Sequence, residues 1–408
     1  MYIGNLDSTI SLLSEYEKLK TPSYMLDYIN YRKSGLSLNH IIGCPLNCAY
    51  CVRHFWGNFD DKTPHMICTD EEAITSLLNH QYFIPDVTPI QLFNKATDPF
   101  LPSVKAHTFY ILNSLDKKGL KNIVTVITRY KVDEEDMKIL ESLENIKLVL
   151  FFTYSGITES RIEPIAPFDI TLNSIRIASK MRKKTKIVLY WRPIVIGWND
   201  AEETMKKVLD VGSLCDGIVF TGYYHKEKNS KYIESLSVNT PYSGESFQRR
   251  KVLPQELDEK VVRLHRELKV ETPLFRKTSC GASFVHNLPD YNGHWGINEL
   301  CDICPSEQKK LCSSTHKKPS YSEMYDLLNK LNYKTHFIID NGHIWTKGLG
   351  EEKRYHLQHI LGFQVWDINL PHYEHQHGRG EIGFQQNQLE IENYLKMKKK
   401  FDEHSLQI

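Results

Sequence analysis

Seven of the nine cysteines in this 408-residue chain fall into two groups whose spacing fits metal–thiolate chemistry. The first group lies in Gly43-Cys44-Pro45-Leu46-Asn47-Cys48-Ala49-Tyr50-Cys51, a C-x3-C-x2-C pattern. Independent placement of cysteines would give that spacing in roughly 0.4% of chains this long, so it calls for a chemical reason. Three thiolates suit a four-iron cluster with one iron left open. A structural zinc ion takes four ligands, and no fourth is near, since Cys68 lies 17 residues on and His54 would crowd the loop. The second group is Cys280, Cys301, Cys304 and Cys312, four thiolates within 33 residues. Four thiolates suffice for a closed site, either zinc or a fully ligated four-iron cluster. Plain thiols remain the third reading. Cys68 and Cys215 stand alone and read as small buried hydrophobes.

Composition sets the context for these thiols. Lys and Arg number 51 against 50 Asp and Glu, and the chain is 41% hydrophobic and 25% charged. That is ordinary globular composition. It excludes both a globally basic nucleic-acid sheath and an acidic disordered chain. No apolar run reaches spanning length, and the first twenty residues lack the pattern of a secretory signal. No membrane association and a reducing, cytoplasmic setting are therefore expected, where clustered cysteines point to metal rather than disulfides.

The elements that must position the first group alternate. Leu38–Gly43, Pro89–Asn94, Ile123–Thr128, Lys147–Tyr154, Lys186–Arg192 and Gly217–Thr221 are short, β-rich and nearly continuously apolar, as in strands buried on both faces of a parallel sheet. Helical patterns fall between them at Glu71–His80, Val104–Lys118, Glu134–Leu143, Thr171–Lys183 and Ala201–Val211, with Gly119 and Gly212 as stops. Repeated βαβ units predict an α/β fold. Periodicity alone does not choose between a doubly wound sheet and a partial barrel. Tyr223–Gln255 reads as a long polar connection. The tail predicts a helix at Tyr321–Leu331, a hairpin at His336–Lys347 turned by Asn341-Gly342, a helix at Glu351–Leu361 stopped by Gly362, and a strand at Phe363–Ile368. That set is compatible with a winged-helix-like module.

A three-cysteine loop after the first strand of a βα series, with Tyr50 before the third cysteine, resembles the radical S-adenosylmethionine (SAM) superfamily over about residues 36–225. The resemblance implies a partial (β/α)6 TIM-type barrel. Around it are expected an N-terminal extension (1–35), a connection with the four-cysteine metal segment (226–320) and a small α+β tail (321–408). It further implies a [4Fe-4S] cluster on Cys44, Cys48 and Cys51 whose open iron chelates SAM. One-electron cleavage of SAM then yields methionine and a 5′-deoxyadenosyl radical that abstracts hydrogen from substrate. A low-potential electron donor of the flavodoxin or ferredoxin type is implied as partner. By the same resemblance Tyr50, Thr97, Asp98, Ser155 and Arg192 are candidate SAM contacts. Thr97-Asp98-Pro99, Arg161-Ile162-Glu163-Pro164 and Arg192-Pro193 look most like the spore-photoproduct-lyase and photolyase-like branch, which implies a nucleic-acid-related substrate. One departure is the absence, at Phe93-Asn94-Lys95, of that branch's hydrogen-donor cysteine.

Three functional readings stay open. The first is a radical SAM enzyme acting on a nucleic-acid-related substrate. The second is a peptide-modifying radical SAM enzyme that uses the distal cysteines for an auxiliary cluster, as SPASM-type enzymes do. The third is a non-catalytic iron–sulfur or zinc protein. His356, His359, His372, His375 and His377 read as solvated. Arg182, Lys183, Lys398, Lys399 and Lys400 are the basic residues to consider for phosphate contact, although residues 301–408 carry 14 basic against 14 acidic groups.

Overall fold

The computed structural model describes residues 10–163, 167–225, 227–240, 250–340, 343–369 and 388–405. Its centre is a mainly parallel sheet in a mixed α/β architecture. Six strands follow one another in space as in sequence: β1 (Gly35–Leu38), β2 (Ile90–Leu92), β3 (Ile123–Thr128), β4 (Lys147–Thr153), β5 (Lys186–Ile194) and β6 (Gly217–His225). Each is parallel to the next. Between them run α1 (Asp70–Leu78), α2 (Lys105–Lys117), α3 (Glu134–Glu141), α4 (Pro167–Met181) and α5 (Glu202–Gly212). Thr69 with Glu72, and Asp133 with Asp136, form reciprocal capping boxes that start α1 and α3.

Alternate residues along the strands separate two cores, because side chains on a strand point to opposite faces. Leu148, Leu150 and Phe152, with Ile187, Leu189 and Trp191, pack against Ile74, Leu77, Leu112, Met137, Ile175 and Met205 of the crossover helices. Val149, Phe151, Val188, Tyr190 and Val219 face the other way. Parallel neighbours taken in order need every right-handed crossover to step the same way, which puts all the helices on one face. The opposite face is filled from further along the chain. Phe275, Ala282 and Val285 cover it, with Cys280, Phe284 and Cys304 packed alongside. Residues Thr278–Phe284 form the helix that supplies this plug.

Four differences from the sequence reading have local causes. The first strand lies at Gly35–Leu38, and the apolar run beyond it instead forms Ile41–Ile42, paired antiparallel with His65–Met66. Gly212 is the last helical residue rather than a stop beyond the helix. A Cβ there would fall 2.4 Å from Ile218 Cδ1, so close helix–sheet approach explains it. The segment read as a polar connection begins inside β6 and contains the helix Glu227–Ser235 and the strand Arg250–Val252, which lies antiparallel against β6. Lastly, His356 and His359 are buried, not solvated. Tyr31 Oη lies 2.5 Å from His359 Nδ1, so the tail helix Glu351–Leu361 docks through aromatic and imidazole rings on the N-terminal hairpin, in which Ile29–Arg32 pairs antiparallel with β1. His372, His375, His377 and Asn341-Gly342 lie outside the described residues.

The tail has its own core of Met324, Leu328, Phe337, Ile339, Leu357, Phe363 and Val365. Phe337–Asp340 and His343–Thr346 pair antiparallel, and Gln364–Asp367 adds a parallel third strand. Gly362 ends its helix in a left-handed conformation.

Candidate active site

The three-cysteine loop is pinned through its backbone. Gly43 enters it at φ +94°, and a Cβ there would sit 2.1 Å from the Thr63 carbonyl oxygen, so only glycine fits. Arg53, 2% exposed, donates to the carbonyl oxygens of Cys44 (2.9 Å), Asn58 (2.5 Å) and Phe59 (3.0 Å), and also to that of Asp61. The Cys44 amide returns a bond to Asp61 O at 3.0 Å. One buried guanidinium thereby closes residues 44–61 into a rigid cradle.

Cys44 and Cys48 are buried and Cys51 is half-buried. Burial pushes the Cys48 thiol up to about 12, against the pull of Arg129, and raises Cys44 as well. Metal binding must displace such protons. The three sulfurs are not all within 4.8 Å of one another, and the described residues contain no three-cysteine group that is.

All three cysteines line a cavity of about 940 Å³ at the carboxyl ends of the parallel strands. Thr97 and Asp98 after β2, Thr128 and Arg129 at the end of β3, Thr153 of β4 and Arg192 of β5 reach it, as do Arg32 from the N-terminal hairpin and Arg354 from the tail. Ligands of open α/β sheets gather at this end. Ser37 Oγ, Asn94 Oδ1 and Thr97 Oγ1 are buried in residues that line the cavity and have no hydrogen-bond partner in the protein. A buried polar atom left unsatisfied costs about 1–3 kcal/mol, so these atoms are suited to a bound polar molecule.

The candidate contacts divide into those that face the cavity and those that stand behind it. Thr97 faces it with a hydroxyl to spare. Asp98 lines it, but its carboxylate already accepts from Thr128 Oγ1 (2.7 Å) and from the amides of Phe100 and Arg129 (both 2.9 Å), so it shapes the loop. Burial raises its pKa despite these bonds. Tyr50 Oη donates to Glu163 (2.8 Å) and accepts from Arg129 (2.8 Å). Arg129 pairs with the other Glu163 oxygen at 2.7 Å. Ser155 is buried and gives its hydroxyl to Glu163 at 2.6 Å, which places it behind the wall rather than on it. Arg192 lines the cavity and stacks on Tyr190, 4.3 Å from the ring centre.

Glu163 was read only as part of Arg161-Ile162-Glu163-Pro164, with no site role, and Arg129 is a site residue that the sequence reading did not single out. The only local signal was a charged residue directly after the apolar strand at Ile123–Thr128. Lys95 is another. Burial pushes its ammonium down to about 8, and it lies 4.7 Å from the Trp56 ring centre. Among the described residues, Lys95, Arg192 and Arg354 have no carboxylate partner, whereas Arg129 is paired with Glu163 and Arg32 with Glu351. The basic residues considered earlier lie elsewhere. Arg182 pairs with Asp216 at 3.1 Å near the start of β5, the end remote from the cavity. Lys183, Lys398, Lys399 and Lys400 are exposed, and none lines the cavity.

The distal cysteines converge from separate elements. Cys280 lies on the plug helix, two residues beyond the cavity-lining Thr278, whose hydroxyl meets Tyr190 Oη at 2.9 Å. Cys301 ends the helix Asn298–Cys301, Cys304 follows it, and Cys312 is on Ser306–Thr315. Two further residues meet Cys280 there, Asp290 and His294, neither of which the sequence reading assigned to a metal. Burial pushes the His294 imidazole down to about 4.

No family model matches the chain, and no curated protein does. Among solved structures, spore photoproduct lyase complexed with dinucleoside spore photoproduct is 15% identical, at a TM-score of 0.47, over 60% of this chain and 78% of that one. SuiB of Streptococcus suis bound to S-adenosylmethionine is 11% identical, at a TM-score of 0.43, over 64% and 54% of the two chains. The radical S-adenosylmethionine methyltransferase TsrM from Kitasatospora setae is 15% identical, at a TM-score of 0.36, over 53% and 43%. Likeness of this degree leaves function to be argued from the side chains.

Proposed function

We propose that the protein is a radical SAM enzyme in which Cys44, Cys48 and Cys51 hold a [4Fe-4S] cluster and the cavity beside them takes S-adenosylmethionine and a substrate. The observation that carries this is the convergence of three thiols on a 940 Å³ cavity at the carboxyl ends of sequential parallel strands. We read the sheet as a partial (β/α)6 barrel, because its parallel strands run in order and its crossover helices lie on one side. When bound, the cluster and SAM supply hydrogen-atom abstraction by a primary carbon radical after one-electron reduction. A donor of the flavodoxin or ferredoxin type would provide that electron.

The chain's own groups do the rest. Thr97 Oγ1 and Asn94 Oδ1 are acceptors suited to the SAM ammonium group, and Arg192 to its carboxylate. Tyr50, held between Arg129 and Glu163, fixes the backbone ahead of the third thiolate. Ser155 is a positioning residue that acts through Glu163.

For the substrate, the reading is a nucleic-acid-related molecule. With Arg192 given to the SAM carboxylate, Lys95 and Arg354 offer unpaired positive charge, and Phe55, Trp56 and Tyr224 offer rings for base stacking. A second reading, a peptide substrate, is favoured by the distal cysteines, whose helix reaches the cavity floor at Thr278. On either reading those four cysteines hold a second metal centre, zinc or iron–sulfur. Deuterated oligonucleotides and peptides, offered to anaerobically reconstituted protein with SAM and dithionite, separate the two. Deuterium should appear in 5′-deoxyadenosine from the nucleic-acid pool. Transfer from the peptide pool alone would replace the first reading with the second.

A further inference from the structure

The 20 residues between Cys280 and Cys301 return the chain to the distal thiols with a turn that carries Asp290 and His294. A ring nitrogen of His294, a carboxylate oxygen of Asp290 and the Cys280 sulfur all lie within 4.8 Å of one another, the one such metal-competent group among the described residues. The same turn touches two more thiols. The Asp290 amide points at Cys312 Sγ at 3.5 Å, and Cys301 Sγ lies 3.8 Å from the His294 carbonyl oxygen.

The His294 ring is 1% exposed, and its two nitrogens differ in their surroundings. Nδ1 is bonded to Asp290 Oδ2 at 2.7 Å, while Nε2 is buried with no protein partner. Metal-binding histidines show this arrangement: one nitrogen is held by a carboxylate, which sets the tautomer and ring angle, and the other is left for the ion. The turn is also clamped from outside. Asn292 Oδ1 accepts from Gln358 Nε2 at 2.9 Å, and a Cβ on Gly293 would meet the Gly362 carbonyl oxygen at 2.2 Å, so the tail holds the ring in place.

We propose that His294 is a ligand of the distal metal centre through Nε2, alongside Cys280 and the neighbouring thiolates, and that Asp290 is the carboxylate that orients it. The centre then has a mixed nitrogen–sulfur donor set instead of four thiolates. Zinc and an iron–sulfur cluster both accept imidazole beside thiolate. This rests on the reading that the distal cysteines bind metal at all.

The test uses full-length protein with Cys44, Cys48 and Cys51 replaced by Ala, so that remaining metal belongs to the distal centre. Iron, sulfide and zinc per chain are measured after anaerobic reconstitution, with the rate of metal loss to a chelator. In that background His294→Ala and His294→Gln should lose metal at least about 10-fold faster, Asp290→Asn about 10-fold faster, and His294→Cys should retain it. The visible spectrum, of the cluster or of Co²⁺ exchanged for zinc, should shift in His294→Cys. If His294→Ala and His294→Cys keep the metal with unchanged release rate and spectrum, His294 is no ligand and the four-thiolate centre stands. If the background protein binds neither zinc nor iron, the four-cysteine reading falls, and this proposal with it.

Discussion

The two cysteine regions solve opposite problems. Cys44, Cys48 and Cys51 come from eight consecutive residues, and one buried arginine ties the Cys44 carbonyl to the segment that follows the loop. Their front opens on a large cavity. The distal thiols come from three helices and the residues between them; Cys280, Cys301 and Cys312 meet a buried Asp290–His294 pair, and Cys280 and Cys304 pack with the plug of the sheet. An open set of ligands leaves room for a reacting molecule, whereas a closed set contributes folding free energy. The contrast teaches that thiolate number matters less than what stands on the far side of the sulfurs.

That contrast can be broken most severely at the distal centre. Cys301→Ala with Cys304→Ala should cost more metal-linked stability than any other change here, at least about 5 kcal/mol, with new protease cleavage between residues 278 and 316. Triple replacement of Cys44, Cys48 and Cys51 should leave the melting temperature within a few degrees of wild type. Thermal melts of the two variants side by side check this, and equal losses would erase the distinction.

Arg53→Met probes the front loop with a smaller effect. It removes the clamp on four carbonyl oxygens, so a loss of about 3–4 kcal/mol is expected. Iron loading should fall at the proximal site and be retained at the distal one. Metal analysis of Arg53→Met in backgrounds lacking either cysteine group measures each separately.

Much of this layout is legible in the sequence, and the reason is burial. β3 to β6 are covered on both faces, so they read as continuous apolar runs, and α1 to α5 follow the expected positions within a few residues. The loop at residues 43–51 is legible because its three thiols are adjacent in the chain. What is not legible depends on distance in sequence. Tyr50, Arg129 and Glu163 meet across separations of 79 and 34 residues, with no period to announce it. Asp290 and His294 look like turn residues until Cys280 is placed beside them. The tail histidines read as solvated because nothing local to Glu351–Leu361 reveals that Tyr31 packs on that helix.

The smallest effect concerns charge in the cavity. Lys95 is cationic below its lowered value of about 8 and neutral above it. Its contribution to binding a phosphate-bearing ligand should therefore be present at pH 7 and fall about 10-fold in protonated population by pH 9. Titration of oligonucleotide affinity across that range checks it, and Lys95→Arg should flatten the profile. The salt slope should be shallow, set by about two cations, Lys95 and Arg354.

The central claim is that the front loop and its cavity cleave SAM. Anaerobically reconstituted wild-type protein, given dithionite and SAM, should release 5′-deoxyadenosine and methionine in equal amounts. The Cys44, Cys48 and Cys51 triple alanine variant should release neither, while still binding its distal metal. Undiminished 5′-deoxyadenosine from that variant, or none from fully loaded wild type, would contradict the account.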